Sequence, residues 1–232
     1  MPHLRIVLVE PQEAGNVGAA ARVMKNFGFA ELWIAGQHPP LDPLAGWWAS
    51  GADDVIAAAR FVPTLYYAIR DVQVTVATTS ARGRAATVTL TPESLGHLYG
   101  SLRQEQTLAL VFGREDSGLT REELMQCQRV VRIPTNADFP TMNLAQAVGI
   151  LCYELSTVPG APVERELASA AAIERLHERA ESLLLAVGFL HQNNPDRIYD
   201  DLRAIVARAD LDVREATIAL GIIRQIEWKL RQ

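Results

Sequence analysis

Short apolar runs alternate with helical patterns over the first two thirds of the chain. The runs are four to seven residues long and predict strands at 4–9, 32–35, 72–78, 108–112 and 130–133. Helical patterns are found at 19–27, 43–50, 65–70, 92–102 and 142–155, and a capping box predicts a short helix after Thr120. Strands separated by helices indicate an α/β domain with a mainly parallel sheet.

The pattern changes after residue 157. The segment VPGAPVERE at 158–166 contains two prolines and a glycine, which is typical of a linker. Helical patterns follow at 168–187, 196–209 and 213–230 without a convincing strand. We therefore predict an α/β domain at 1–157, a linker at 158–166 and a small helical extension at 167–232. The extension either packs on the main domain or makes a dimer contact, or it serves as a substrate-binding arm.

Composition limits the class of protein. The 232 residues are 49% hydrophobic and 21% charged, as in a globular chain with a sizeable core. The net charge of −5 does not indicate nucleic-acid binding, although a local basic patch would be enough for it. The sequence shows neither a signal peptide nor an apolar stretch long enough to span a membrane. Two cysteines and five histidines without ligand spacing predict no metal site, and we expect a cytoplasmic protein.

Two glycines follow the first strand, in EAGNVGAAARVMKNFGF at 13–29. A dinucleotide fingerprint needs its first glycine at the strand end and an acidic residue at the end of the second strand. Here PQEA separates the strand from Gly15, and the second strand ends in LWIAGQ. The chain also lacks the Gly-Lys-Ser/Thr of a Walker loop. Phosphate binding is therefore a weak interpretation of this turn.

Polar loops follow three of the predicted strands. They are TTSARGR at 78–84, GREDSG at 113–118 and IPTNADFPTMN at 133–143. Open α/β sheets bind ligands at the carboxyl ends of their strands, so the three loops together predict a pocket lined largely by backbone groups.

Three motifs in these segments resemble those of the SpoU (TrmH) family of RNA 2′-O-ribose methyltransferases. They are Asn16-x-Gly18-x-x-x-Arg22, Phe112-Gly113-Arg-Glu115-x-x-Gly118-Leu119, and Ile133-Pro134 followed by Asn143-Leu-Ala-Gln-Ala147. Their order and separations agree with the family, and the resemblance covers the whole chain. LWIAGQ, GADDVI, ATTSAR and FLHQNNPDRIYDDLRAIVARADL are similar to the TrmJ branch, whose members methylate the anticodon-loop ribose at position 32 of tRNA.

This resemblance implies a SPOUT fold, in which the C-terminal part of the α/β domain forms a deep trefoil knot that binds S-adenosyl-L-methionine. Such knots are nearly absent among other folds. The resemblance also implies a homodimer in which each active site is completed by the partner subunit. The family positions for cofactor contact correspond here to Thr79, Ser80, Ala81, Gly113, Ile133, Pro140, Thr141 and Met142.

The same resemblance assigns catalysis to Arg22, with Asn16, Glu115 and Asn143 around it. A guanidinium has a pKa above about 12 and is a poor base, so we expect Arg22 to orient the ribose hydroxyl and bind the adjacent phosphate. Turn formation by Asn16 and loop capping by Glu115 are the alternatives. The third motif departs from the usual Ser-Leu-Asn, because the chain has Thr-Met-Asn at 141–143. The chain also lacks the arginine that relatives often have before the glycine and isoleucine at 221–222.

RNA contact is expected from basic side chains near the loops. The candidates are Lys25, Arg82, Arg84 and Arg114. The expected target is tRNA, in a single-stranded or loop region whose ribose can turn toward a pocket. Two alternatives stay open: the same reaction on ribosomal RNA, and an RNA-binding protein without catalysis. We interpret Trp47 and Trp48 as packing or dimer residues rather than base-stacking residues.

Overall fold

The computed structural model describes residues 2–80, 88–158, 166–190 and 195–232. Its sheet has seven strands in the order β3-β2-β1-β6-β4-β7-β5, and every strand pair is parallel. The strands are β1 (His3–Val9), β2 (Glu31–Ala35), β3 (Arg60–Val62), β4 (Val74–Thr78), β5 (Val88–Leu90), β6 (Thr107–Phe112) and β7 (Arg129–Val131). The helices are α1 (Ala14–Asn26), α2 (Leu44–Ala49), α3 (Asp53–Ala57), α4 (Leu65–Ile69), α5 (Pro92–Gly100), α6 (Arg121–Met125), α7 (Leu144–Ser156), α8 (Ala170–Ala186), α9 (Pro195–Ala209) and α10 (Val213–Leu230).

The predicted α/β architecture with a mainly parallel sheet is confirmed, whereas the trefoil knot stays a prediction. The sequence pattern misses α3 and the edge strands β3 and β5, because three to five residues carry too little periodicity to be recognised. Helix α1 begins at Ala14, five residues before the predicted start at 19. Gly15 and Gly18 lower the helix propensity of residues 14–18, but packing of this stretch against α2 outweighs their effect.

The central strand β6 is buried on both faces of the sheet. Leu108, Leu110 and Phe112 belong to a core cluster with α1, α5 and α7. Ala109 and Val111 point to the opposite face and pack with α4 and α6. This two-sided burial is why the strand is continuously apolar in sequence, and it fixes the loops at its carboxyl end.

Gly18 makes a close contact between α1 and α2. A Cβ added there would lie 2.0 Å from the carbonyl oxygen of Ala45. Real Cβ atoms do not approach backbone so closely, so the two helices pack at this distance only because residue 18 has no side chain. The glycine of the first motif therefore serves helix packing.

We expect Gly18→Ala to destabilise the protein, because α2 must move away from α1. The expected loss in the free energy of unfolding is about 1–3 kcal/mol, measured by urea denaturation. Gly221→Ala is the matched control, since Gly221 is also helical and a Cβ there meets nothing within 4 Å. The control should be neutral or slightly stabilising. Equal losses in both variants would contradict the packing role.

The helical extension is attached to the α/β domain by buried polar contacts. The guanidinium of Arg129 forms an ion pair with Asp210 and donates a hydrogen bond to the carbonyl of Ala207 (2.9 Å). The backbone N–H of Ala170 donates to the carbonyl of Val72 (2.6 Å). The extension thus packs on the main domain in this structure, while a contact with RNA or with a second subunit stays a prediction. Most of the predicted linker, 159–165, lies outside the described residues. In the described ranges, no helix has the length and apolarity needed to cross a membrane.

Candidate functional site

A cavity of about 310 Å³ lies at the carboxyl ends of β4, β6 and β7. Its walls come from 78–80 at the end of β4, from 112–119 at the end of β6, and from 131–147, which run from the end of β7 into α7. Seven of the eight predicted cofactor positions line it: Thr79, Ser80, Gly113, Ile133, Pro140, Thr141 and Met142. The eighth, Ala81, lies outside the described residues. The three polar loops therefore meet where the sequence predicts a pocket.

Several residues that line the cavity are not among the cofactor, catalytic or RNA-binding residues predicted from the sequence. They are Thr78, Phe112, Leu119, Leu124, Val131, Thr135, Leu144 and Ala147, besides Asp116, Ser117 and Gly118 in the second loop. The signal that could identify Thr78, Phe112 and Val131 is their position as the last residue of a strand. The others belong to the loops and motifs predicted to form the pocket, except Leu124 of α6, which no pattern in the sequence places there.

The second loop, 113–119, is a tight turn that depends on two glycines. A Cβ on Gly113 would lie 2.2 Å from the backbone carbon of Gly118 and 2.3 Å from the nitrogen of Leu119. Gly118 has φ +72°, a conformation that side chains disfavour. The backbones of Arg114 and Gly118 exchange two hydrogen bonds, of 2.9 and 3.3 Å. The glycines of the second motif thus bring two backbone segments into contact at the cavity wall.

A chain of hydrogen bonds joins the three motifs. Asn143 caps α7 by accepting from the N–H groups of Ala145 and Gln146, and its amide donates to Oδ1 of Asn16 (2.9 Å). The amide of Asn16 donates to Oε1 of Glu115 (2.9 Å). Glu115 also accepts from the backbone of Gln12 (2.8 Å) and Glu13 (3.3 Å). These side chains therefore tie the start of α1 and the start of α7 to the cavity loop.

Arg22 lies apart from this chain. It is exposed on α1 and does not line the cavity. Within the described ranges it forms neither a hydrogen bond nor an ion pair, so its guanidinium is available to a partner from outside. Asn16 and Arg22 are six residues apart on one helix, which separates them by about 9 Å along its axis.

The other basic candidates differ in their surroundings. Lys25 donates to Asp54 (2.8 Å) and to the carbonyl of Gly51 (3.0 Å), and its side chain stays 47% exposed. The Arg114 guanidinium instead faces two carboxylates of the protein, and its side chain is 18% exposed. The expected RNA contact by Arg114 therefore conflicts with its position in the structure. Arg82 and Arg84 lie outside the described residues.

The charges in the described lining of the cavity favour a ligand with positive charge. Arg114 is neutralised by its carboxylate partners, which leaves Glu115 and Asp116 as the charged groups without an ion-pair partner among the described residues of the lining. Hydrogen bonds from Gln12 and Ser117 lower the pKa of Asp116, so it is ionised at neutral pH. These two carboxylates would repel a phosphate at this wall of the cavity.

The fold and the cavity define an α/β protein whose ligand site is built from strand-end loops. Residues 3–153 match the model of the SpoU rRNA Methylase family, and residues 171–232 match that of the tRNA methyltransferase TrmJ, C-terminal domain. The chain therefore belongs to the SpoU methylase family, as its three motifs predict.

Full-length relatives agree with this assignment. The tRNA (cytidine/uridine-2'-O-)-methyltransferases TrmJ of Escherichia coli (strain K12) and of Shigella dysenteriae serotype 1 (strain Sd197) are each 36% identical over 237 residues, covering 98% of this chain and 96% of the relative. The crystal structure of TrmJ from Z. mobilis ZM4 is 29% identical and has a TM-score of 0.82, covering 98% of this chain and 99% of that one.

Proposed function

We propose that the protein is an S-adenosyl-L-methionine-dependent tRNA 2′-O-methyltransferase. Its substrate is a cytidine or uridine in the anticodon loop, at position 32, and it acts in the cytoplasm. The observation that carries the proposal is the near-complete match to relatives named for this reaction, which extends through both the α/β domain and the helical extension. Ribosomal RNA is the alternative substrate, because the family model that matches the α/β domain is described by rRNA methylation.

The cavity fits the cofactor in size and charge. Its volume of about 310 Å³ is in the range of small-ligand pockets, and the carboxylates of Glu115 and Asp116 in its described lining suit a cationic molecule. When bound, S-adenosyl-L-methionine supplies an electrophilic methyl group on a sulfonium. The backbone of 113–119 and the side chains of Ile133 and Met142 would hold it, with Thr79 and Thr141 as hydroxyl donors.

The task of the protein side chains is to deliver the ribose oxygen in line with the methyl group. Arg22 orients the 2′-hydroxyl and binds the neighbouring phosphate, since a guanidinium is a strong bidentate donor and a poor base. The 2′-hydroxyl held by Arg22 would accept the methyl group, and its proton would pass to the phosphate or to water. Alignment of this kind lowers a barrier by about 7–11 kcal/mol where positioning is good.

A second copy of the chain would bring Arg22 to a cavity. Next to Arg22, an apolar groove runs between α1 and α7, lined by Val23, Phe27, Met142, Ala145, Gln146, Gly149, Ile150 and Tyr153. Ile150 is 39% and Tyr153 57% exposed, and Met142 belongs to both the groove and the cavity. A homodimer that buries this groove would place Arg22 of one subunit beside the cofactor of the other.

Ile150→Glu should disrupt this dimer, because it buries an unpaired charge in the apolar groove. We expect a monomer in sedimentation analysis and a loss of methyl transfer of about 10²-fold or more. Ile218→Glu is the control, since Ile218 is 52% exposed on α10 and lies outside the groove. A variant that remains a dimer with normal activity would contradict this interface.

The reaction is tested with methyl-labelled cofactor and RNA without native modifications. Purified protein is incubated separately with bulk tRNA and with ribosomal RNA, and nucleoside mass spectrometry locates the label. The proposal expects 2′-O-methylcytidine or 2′-O-methyluridine in tRNA alone. Label in ribosomal RNA alone would show that ribosomal RNA, not tRNA, is the substrate. Cofactor binding without transfer to either RNA would favour an RNA-binding protein without catalysis.

A further inference from the structure

Arg114 has a complete set of partners within the protein. A guanidinium has five N–H groups. Nε and Nη2 donate to Oε2 of Glu10 (2.8 and 2.5 Å), Nη1 and Nη2 donate to the carboxylate of Glu123 (3.0 Å each), and Nη1 also reaches the carbonyl of Gly118 (3.4 Å). The five N–H groups are matched by five contacts, so none is left for a phosphate.

These contacts join three segments that meet beside the cavity. Glu10 follows β1, Gly118 belongs to the cavity loop 113–119, and Glu123 lies in α6. Glu123 also completes the capping box of α6 by accepting from the N–H of Thr120 (2.7 Å). Arg114 thus joins the loop to Glu10 and to α6, while Glu115 joins it to the start of α1.

The charges of this group are partly buried. The side chains of Arg114 and Glu123 are 18% and 15% exposed. Hydrogen bonds with Glu123 raise the pKa of Arg114. Burial acts against ionisation of Glu123, but the bonds from Arg114 and the Thr120 backbone outweigh it and lower its pKa. Arg114 and Glu123 are therefore ionised at neutral pH, and a largely buried ion pair of this kind is costly to break from one side only.

Helix α6 is held in turn by the helical extension. Arg121 at its start pairs with Asp200 of α9 (2.7 Å), and the carbonyl of Met125 at its end accepts from Arg203 of α9 (2.6 Å). Arg203 also binds Glu174 of α8. Since Glu123 lies between these two contacts, the carboxylate that orients Arg114 sits on a helix fixed at both ends.

We propose that Arg114, held by Glu10 and Glu123, is a positioning residue that keeps the loop 113–119 in the conformation that binds the cofactor. The inference rests on the cofactor proposed above and assigns Arg114 no contact with RNA. It predicts that loss of the guanidinium weakens cofactor binding while tRNA binding is retained.

The test compares Arg114→Met, Arg114→Lys and Glu10→Gln with the wild type. S-adenosyl-L-methionine affinity is measured by calorimetry without RNA, and tRNA affinity by filter binding at several salt concentrations. For Arg114→Met we expect a Kd and KM for the cofactor about 10- to 100-fold higher, kcat at saturating cofactor within about threefold, and unchanged tRNA affinity. Arg114→Lys and Glu10→Gln keep part of the hydrogen-bond network, so their Kd for the cofactor should lie between those of the wild type and Arg114→Met.

Arg60→Met is the matched control, because it removes an exposed arginine on the edge strand β3, away from the cavity. Weaker tRNA binding with a salt slope reduced by about one would assign Arg114 to RNA and overturn the proposal. A lower Tm with normal cofactor affinity at 25 °C would overturn it too, since the role would then be structural only. If wild-type protein binds cofactor but methylates no RNA, the proposed reaction fails while the cofactor affinities still decide this inference.

Discussion

Arg22→Ala should lose methyl transfer by about 10²- to 10⁴-fold while cofactor affinity stays within about twofold of the wild type. The guanidinium is exposed, has no partner in the described part of the chain, and lies outside the cavity lining, so its removal leaves the cofactor pocket intact. What is lost is the orientation of the ribose hydroxyl and the contact with the phosphate. Single-turnover rates at saturating tRNA measure the effect directly. Arg60→Ala is the control for loss of an exposed arginine, and full activity of Arg22→Ala would remove this residue from the mechanism.

Gly113→Ala should abolish measurable cofactor binding, with an expected loss of affinity of about 10²-fold or more. Its Cβ would come within 2.2 Å of the backbone at Gly118, so the loop has to open at the cavity wall. Calorimetry with S-adenosyl-L-methionine measures the loss. Circular dichroism and sedimentation check that the variant folds and associates normally. Gly221→Ala, where a Cβ meets open space, should bind cofactor like the wild type. Normal binding by Gly113→Ala would show that the cavity is not the cofactor site.

The two variants together test whether the active site is shared between subunits. In a mixed dimer, the subunit with Arg22→Ala keeps an intact cavity, and the subunit with Gly113→Ala supplies Arg22. Random exchange of subunits would make half of the dimers mixed, each with one intact site, which restores about a quarter of wild-type activity. If Arg22 serves the cavity of its own chain, mixing restores nothing.

The sequence predicts the elements that rest on local physics. The apolar run of β6 marks a strand buried on both faces, and the capping box at Thr120 marks the start of α6, where its side chain bonds to the backbone of the first turn. The cavity loops are also predictable, because they follow strand ends. The edge strands β3 and β5 are missed because three residues are too few to show an alternation of apolar and polar positions.

The residue roles that the sequence does not predict depend on contacts between residues far apart in the chain. Arg114 lies next to Glu115 in the chain, yet one side chain points to Glu10 and Glu123 and the other to Asn16. Neighbouring positions in a turn give no sign of this separation. An arginine in a pocket motif favours an RNA contact by its charge alone, and only the distances to two carboxylates reveal a different role. In the same way, Gly18 belongs to a binding motif by its spacing and to helix packing by its contact with Ala45.

The most direct test of the central claim is to locate the methyl group within tRNA. Two tRNA transcripts are compared under identical conditions, one unmodified and one with a 2′-deoxynucleotide at position 32, and labelled products are mapped by nuclease digestion and mass spectrometry. We predict a single 2′-O-methyl group at position 32 of the first transcript and no methylation of the second. Label at another position, on a base, or on both transcripts alike would contradict the proposed function.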